Sequence, residues 1–206
     1  MTGTGIRNMI FDMGQVLIRW QPGLMMDPFA ISQQDRTLLM LELFQSVEWV
    51  QLDRGTLSEA EVVARACARL PEHLHELVST VVTGWWNVAL LPQPGMGELV
   101  AQLKEKGYGI YLLSNAGLSL REYFPRIPGA GCFDGLMVSA EEKLLKPQPE
   151  IYHRLYQRFG LDPAQCFFID DSPANIEGAL TTGMRGTIFR GDTVRLRREL
   201  AQAGIL

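Results

Sequence analysis

Short apolar runs that alternate with helical patterns constrain the fold of this chain more than any other feature. Five such runs predict buried β-strands, at residues 6–12, 109–115, 135–139, 166–170 and 186–190. Helical patterns separate the later runs, at residues 96–106, 149–159 and 173–182. Strands that alternate with helices form parallel sheets joined by right-handed crossovers. We therefore expect an α/β protein with a Rossmann-like parallel sheet flanked by helices.

The stretch from about residue 21 to residue 91 differs, because it carries helical patterns only. They cover residues 32–44, 58–70 and 72–86, and the second begins with a capping signal, Ser58 followed by Glu61. Pro92 and Pro94 close the stretch. We predict a core domain of residues 1–15 and 94–206, with an inserted α-helical cap domain at residues 16–93.

Composition narrows the classes of function. The formal net charge is −4 at pH 7 and no basic block is present, so we expect no binding to nucleic acid. We expect no membrane association, since no apolar run approaches the ~18 residues of a membrane span, and no signal peptide. Three cysteines without C-x-x-C spacing favour small buried side chains in a reducing compartment. We therefore expect a cytoplasmic protein.

Polar residues near the strand ends carry the candidate chemistry. They are Asp12, Ser114, Asn115, Lys146, Asp170 and Asp171. Ligands of an open parallel sheet bind beyond the carboxyl ends of its strands, so we expect these side chains to converge on one cleft. A carboxylate cluster suits Mg²⁺, and a carboxylate nucleophile can form an aspartyl-phosphate. Lysine, hydroxyl and amide groups can hold the phosphate oxygens. The set therefore predicts phosphoryl transfer.

Four segments that contain these residues resemble the motifs of one family. IFDMGQVL, LLSNA, KPQPEIY and FFIDDSPANIEGA occur in that order and span nearly the whole chain. They resemble the nucleophile, second, lysine and acidic motifs of haloacid dehalogenase-like (HAD) superfamily hydrolases, in the branch with a helical cap inserted after the first motif. The first motif is similar to the D-x-G-x-V group, which includes alpha-D-glucose-1-phosphate phosphatase. The resemblance implies a Mg²⁺-dependent phosphatase for a small phosphorylated metabolite, such as a sugar phosphate.

The resemblance also implies a role for each catalytic and substrate-binding residue. Asp12 would be the nucleophile. Ser114 would hydrogen-bond the phosphoryl oxygens, with Asn115 supporting its loop. Lys146 would stabilise the charge on Asp12 and on the phosphate, and Gly14 would lie beside both substrate and metal.

The same resemblance implies a metal site. Asp12, the backbone carbonyl of Gly14 and Asp171 would bind Mg²⁺ directly. Asp170 would act directly or through a water molecule, and Asn175 would brace the acidic loop.

One position departs from the family's pattern. Most phosphatases of this family carry a second Asp two residues after the nucleophile, as general acid and then general base, whereas this chain has Gly14. General acid–base help is worth about 10²–10⁴-fold. We therefore expect slower turnover, another proton donor, or a leaving group that departs easily, such as the anomeric oxygen of a sugar 1-phosphate. A phosphomutase is less expected.

Simpler interpretations compete for several of these residues. Ser114 and Asn115 could form an ordinary turn, and Asp170 or Asp171 could cap the following helix. Lys143 competes with Lys146 as the active lysine, but Pro147 favours Lys146.

The cap carries weaker signals. Four tryptophans could line a substrate pocket, although core packing is the default for them: Trp20, Trp49, Trp85 and Trp86. Arg19 and Arg54 could meet an anionic substrate, although a surface position is the default for both.

Two other functions stay open. A 2-haloacid dehalogenase would use Asp12 to attack carbon, but the doubled acid Asp170-Asp171 argues against it. A weakly active or non-catalytic binding protein on the same fold is motivated by Gly14. The sequence leaves the oligomeric state, monomer or dimer, undetermined.

Overall fold

The computed structural model describes residues 5–206, which are built around one parallel β-sheet. Its strands are β1 (Asn8–Phe11), β2 (Gly109–Ser114), β3 (Gly135–Val138), β4 (Cys166–Asp170) and β5 (Arg185–Ile188). All five predicted strands are present, and no strand end is shifted by more than two residues. Residues 1–4, which belong to the predicted core domain and to the segment expected to lack a signal peptide, lie outside the described residues.

The order of the strands places β1 in the middle of the sheet. The order is β3-β2-β1-β4-β5, and each neighbouring pair is parallel. The chain adds β2 and β3 on one side of β1 and then returns to add β4 and β5 on the other. Helices flank the sheet, so the predicted fold class is confirmed. The carboxyl ends of β1, β2 and β4 therefore meet at a topological switch point, where such sheets bind ligands.

The predicted inserted segment, residues 16–93, contains helices and no strand of the sheet, as predicted. They are α1 (Pro22–Met26), α2 (Gln33–Leu39), α3 (Val47–Arg54), α4 (Glu59–Cys67), α5 (His75–Gly84) and α6 (Trp86–Ala89). A π-helical turn, Met40–Phe44, continues α2, and a 3₁₀ turn, Glu72–Leu74, precedes α5. The capping box of Ser58 and Glu61 is formed at the start of α4. The sequence pattern did not predict α1 or α3. In α3, Val47 and Val50 are exposed, so apolar residues on its outer face obscure the helical period.

Six further helices follow. They are α7 (Met96–Glu105), α8 (Leu120–Tyr123), α9 (Ser139–Glu142), α10 (Pro149–Phe159), α11 (Pro173–Thr181) and α12 (Thr193–Gln202). The predicted end of α7 is confirmed, because Gly107 follows its last turn at a φ of 88°. That left-handed backbone conformation favours glycine after a helix. The sequence pattern did not predict α8, α9 or α12.

Two apolar clusters cover the two faces of the sheet. On one face, Ile10 and Phe168 pack with Tyr152 and Leu155 of α10. On the other face, alternate side chains of the same strands pack with α7 and α12, and this cluster continues without interruption into α4 and α5. One sheet face and the inserted helices therefore share a single core. The division of the chain into two domains stays a prediction.

Two expectations from composition can be compared with the structure: the burial of the cysteines and the lack of a membrane-spanning segment. All three cysteines are free; Cys166 is buried as expected, whereas Cys67 and Cys132 are half-buried. Within residues 5–206, each helix is too short or too polar to cross a lipid bilayer.

Candidate active site

Asp12 lies directly after β1, at the switch point of the sheet. Its backbone N–H donates a hydrogen bond to the carbonyl of Ile169 (2.9 Å), which continues the pairing of β1 with β4. Its side chain is buried, and Oδ1 accepts a hydrogen bond from the N–H of Met13 (2.7 Å). The same Oδ1 lies 2.7 Å from Nζ of Lys146. The carboxylate is therefore held in one orientation by a backbone donor and an ammonium group.

Lys146 connects three elements of the site. Its Nζ, which is almost fully buried, contacts Oδ1 of Asp12 and Oδ2 of Asp170, each at 2.7 Å, and donates to the carbonyl of Leu113 (2.9 Å). An ammonium group has three donors, so these contacts use all of them. Lys143 is exposed and donates to the carbonyl of Gly55. The geometry thus favours Lys146 over Lys143 as the lysine of the site.

Asn115 fixes the loop that carries Lys146. The backbone N–H of Lys146 donates to Oδ1 of Asn115 (2.8 Å), and Nδ2 of Asn115 donates to the carbonyl of Lys146 (3.0 Å). The side chain thus acts as a paired amide between β2 and the lysine loop. Ser114, the last residue of β2, is buried next to it.

The acidic loop after β4 is built around Asp170, whose side chain is fully buried. Nδ2 of Asn175 donates to both carboxylate oxygens of Asp170, at 3.0 and 3.1 Å, as expected of a bracing residue. The N–H of Ser172 donates to Oδ1 of Asp170 (2.8 Å). The cap of α11 is the side chain of Ser172, which accepts from the N–H of Asn175. Asp170 therefore serves the site rather than the helix cap, and Asp171 beside it is exposed.

Three carboxylates converge in this arrangement. Asp12, Asp170 and Asp171 each offer an oxygen, and the three oxygens lie within 4.8 Å of one another. Burial raises the pKa of Asp12 to about 7, with Asp170 adding to the rise and Lys146 opposing it. Burial alone would lower the pKa of Lys146, but the charges of Asp12 and Asp170 outweigh burial and raise it. One ammonium among three carboxylates leaves an excess of negative charge, which suits a hard divalent cation.

A cavity of about 170 Å³ lies beside Asp12. From the sheet side, Gly14, Ser114 and Asn115 line it. From the inserted segment, the lining consists of Ile18, Trp20, Trp49, Leu52, Asp53, Val82 and Trp85, and Tyr123 of α8 also lines the cavity. Three of the four tryptophans therefore line the cavity, while Trp85 is also buried in the core and Trp20 and Trp49 pack against it. Trp86 packs in the core as expected, stacked on Tyr123 with 5.4 Å between ring centroids.

Sequence reasoning overlooked two residues at this site. It considered Arg54 in the segment LDRGTLS, with a surface position as the default, whereas the neighbouring Asp53 lines the cavity and Arg54 does not. The other is Ser139, whose buried hydroxyl donates to the carbonyl of Asp53 and accepts from the N–H of Ala116 (2.8 Å). Ser139 could have been identified from its position in the sequence, because it is the polar residue that directly follows β3. Arg19 is exposed and lines a separate groove with Asp171.

Comparison with known proteins identifies hydrolases that are similar in sequence and fold. The chain is 28% identical over 205 residues to a sesquiterpene phosphatase of Aspergillus oryzae, covering 97% of each chain. It is 24% identical to a flavin mononucleotide hydrolase of Arabidopsis thaliana, covering 81% of this chain and 66% of the relative. A magnesium complex of a HAD family enzyme from Bacteroides thetaiotaomicron superposes with a TM-score of 0.68 at 26% identity, over 94% of this chain and 99% of that one.

A family model decides the assignment. Residues 41–183, more than half of the chain, match the model described as haloacid dehalogenase-like hydrolase. The match begins after the first motif, so Asp12 is placed by the geometry above rather than by the model. The chain is a hydrolase that belongs to the haloacid dehalogenase-like family.

Proposed function

We propose that this hydrolase is a Mg²⁺-dependent phosphatase that cleaves a small phosphomonoester through an aspartyl-phosphate on Asp12. The observation that carries the proposal is the Asp12 carboxylate, held by Lys146 within a cluster of three carboxylates at the edge of a cavity. Relatives named as a phosphatase and as a flavin mononucleotide hydrolase support it. A dehalogenase needs no metal, so the cluster favours phosphoryl transfer.

The residues present fit a magnesium ion. Oxygen donors are the ligands that Mg²⁺ prefers, and three carboxylate oxygens lie close enough to share one ion. Asp12, Asp170, Asp171 and the backbone carbonyl of Gly14 would hold it. When bound, the ion supplies positive charge that offsets the repulsion between an anionic phosphate and an attacking carboxylate.

Each side chain of the site has its own role in the proposed reaction. An oxygen of Asp12 bonds to phosphorus while the bond from phosphorus to the ester oxygen breaks. Lys146 keeps Asp12 oriented and stabilises the negative charge that gathers there. Ser114, at the cavity edge, binds phosphoryl oxygens, and Asn115 holds the substrate-binding loop and the loop of Lys146 in place. Attack of water on phosphorus then breaks the bond to Asp12 and releases inorganic phosphate.

The cavity wall narrows the substrate class. The lining that the structure describes contains tryptophan, tyrosine and aliphatic side chains, and it contains no lysine or arginine. Such a wall favours an apolar or aromatic organic group that carries a single phosphate, because a second phosphate would find no cation there. The relative named as a sesquiterpene phosphatase supports this choice. A sugar phosphate stays the competing hypothesis.

Phosphate release from a panel of esters tests the proposal. The panel contains aryl, prenyl and hexose phosphates, each assayed with Mg²⁺, with EDTA and with the Asp12→Asn variant. We expect release that needs the metal, disappears in the variant and is fastest with an apolar ester. Asn has the shape of Asp, so circular dichroism should show an intact fold. Full activity in Asp12→Asn would refute the mechanism, and chloride release from a 2-chloroacid in EDTA would identify a dehalogenase.

A further inference from the structure

The first motif carries one acidic side chain, that of Asp12, and has Gly14 at the position of the usual second acid. Gly14 stands at the cavity edge, and a Cβ built there would meet no atom within 4 Å. Its backbone does not adopt a positive φ, so a larger residue would fit. Among the described residues that line the cavity, the carboxylates are those of Asp12 and Asp53. Asp53 is thus the available acid in the cavity that it shares with the proposed nucleophile.

The backbone of Asp53 is fixed to the part of the core that carries Ser114 and Asn115. The hydroxyl of Ser139 donates to the carbonyl of Asp53 and accepts from the N–H of Ala116, which directly follows Asn115. Two residues on, the carbonyl of Gly55 accepts a hydrogen bond from Nζ of Lys143. These contacts hold the end of α3 on α9 and so fix Asp53 at the cavity.

The surroundings of Asp53 favour its neutral form. The cavity that it lines is also lined by Trp20, Trp49, Trp85 and Tyr123. Burial, with the charge of Asp12 adding to it, raises the pKa of Asp53 to about 8. Tyr123, the other titratable group that faces it, has a raised pKa as well and is neutral. A carboxyl group in such a setting holds a proton near neutral pH.

We propose that Asp53 supplies and recovers the proton in this reaction, in place of the second acid that the first motif lacks. The inference rests on the phosphatase function proposed above. It explains how a chain with Gly14 can cleave an ester whose alcohol leaves poorly.

The proton follows a closed cycle. In the first step, Asp12 forms its bond to phosphorus, the bond to the ester oxygen breaks, and the carboxyl group of Asp53 gives its proton to that oxygen. The alcohol departs and leaves Asp53 as a carboxylate. In the second step, this carboxylate takes a proton from water, whose oxygen bonds to phosphorus while the bond to Asp12 breaks. Phosphate leaves and Asp53 is again protonated.

A leaving-group series tests the proposal. A nitrophenolate departs without a proton, whereas an alkoxide needs one. In Asp53→Asn we expect kcat/KM for alkyl phosphates to fall by about 10²–10⁴-fold, and for nitrophenyl phosphate by less than about tenfold. Equal losses for both esters, or no loss, in a variant of unchanged Tm would overturn the proposal. Asp53→Ser provides the same comparison if the Asn variant does not fold.

A second substitution tests whether the function lost in Asp53→Asn is that of an acid. Gly14→Asp in the Asp53→Asn background is expected to restore turnover of alkyl phosphates, since the site has room for the side chain. A double variant no better than Asp53→Asn would count against the proposal. Glu76→Gln, an exposed carboxylate on α5, is the matched control and is expected to leave both esters unaffected.

The same assays separate this inference from the function on which it rests. If the wild-type protein releases no phosphate, or if Asp12→Asn retains activity, the phosphatase itself is refuted. If release depends on Asp12 but not on Asp53, the assignment of the proton donor alone is refuted.

Discussion

Replacing Gly55 with alanine is expected to damage the contact that positions Asp53. Gly55 ends α3 with a φ of 71°, a left-handed conformation that penalises any side chain. A Cβ built at this position would lie 2.8 Å from the Cα of Ala140, and closer still to its carbonyl oxygen. Because these are backbone atoms, rotation of a side chain cannot relieve the clash, and α3 has to move away from α9.

A second glycine allows the two costs to be separated. Gly160 ends α10 with a φ of 65°, but a Cβ there would meet no atom within 4 Å. Alanine at Gly160 therefore carries the conformational cost alone, about 1–2 kcal/mol. Alanine at Gly55 adds an overpacking cost of about 1–3 kcal/mol, for a total of about 2–5 kcal/mol. The difference between the two variants isolates the clash with Ala140.

Urea denaturation measures both free energies of unfolding, and phosphate release measures the consequence for the site. Gly55→Ala is expected to lose stability beyond Gly160→Ala and to lose activity toward alkyl phosphates, since Asp53 moves with the end of α3. Gly160→Ala is expected to keep its activity. Equal losses of stability in the two variants would show that α3 does not press on α9, and would refute this reasoning.

Three further predictions concern the charged groups. Lys146→Met leaves the buried carboxylates of Asp12 and Asp170 without their ammonium partner, so we expect a loss of about 3–5 kcal/mol of stability in EDTA by urea denaturation. Saturating Mg²⁺ should recover part of that loss, and its failure to do so would argue against a metal site. Asp171 is exposed, so Asp171→Asn should weaken Mg²⁺ binding in calorimetric titration while leaving the Tm in EDTA unchanged. The pKa of Asp53 is raised from 3.8 to about 8, so the folded state binds more protons than the unfolded state between those values. The stability of wild type should therefore fall relative to Asp53→Asn as the pH rises from about 4 to about 8; a constant difference would contradict the raised pKa.

The sheet and its helices were readable because burial gives them simple patterns. The strands of a parallel sheet are covered on both faces, so they appear as short apolar runs. The segment 149–159 shows one apolar stripe, and the observed helix α10 has the predicted bounds. Among the helices that the sequence pattern did not predict, α3 and α12 escaped detection for different reasons. In α3, the exposed Val47 and Val50 blur the period, and in α12, charged residues dominate and leave few apolar positions to count.

The part of the candidate site that lies at the ends of strands could be predicted from the sequence. Asp12, Ser114 and Asp170 each end a buried run, and parallel strands bring those ends together whatever the remaining sequence is. Asp53 has no such mark, because its place depends on how the inserted helices fold back over the sheet. That placement depends on contacts between distant segments, such as the hydrogen bond from Ser139. No local period encodes a contact of this kind.

The uninterrupted apolar cluster that joins one sheet face to α4 and α5 affects how substrate enters the site and how product leaves it. Swinging the inserted helices away as a block would split this cluster and expose apolar surface to water, at about 25 cal/mol for each Å². Rotation of single aromatic rings exposes far less. Rotamer changes of side chains such as Trp20 and Trp49 should therefore control binding of the ester and release of the alcohol. These changes leave the apolar contacts between the sheet and the inserted helices intact.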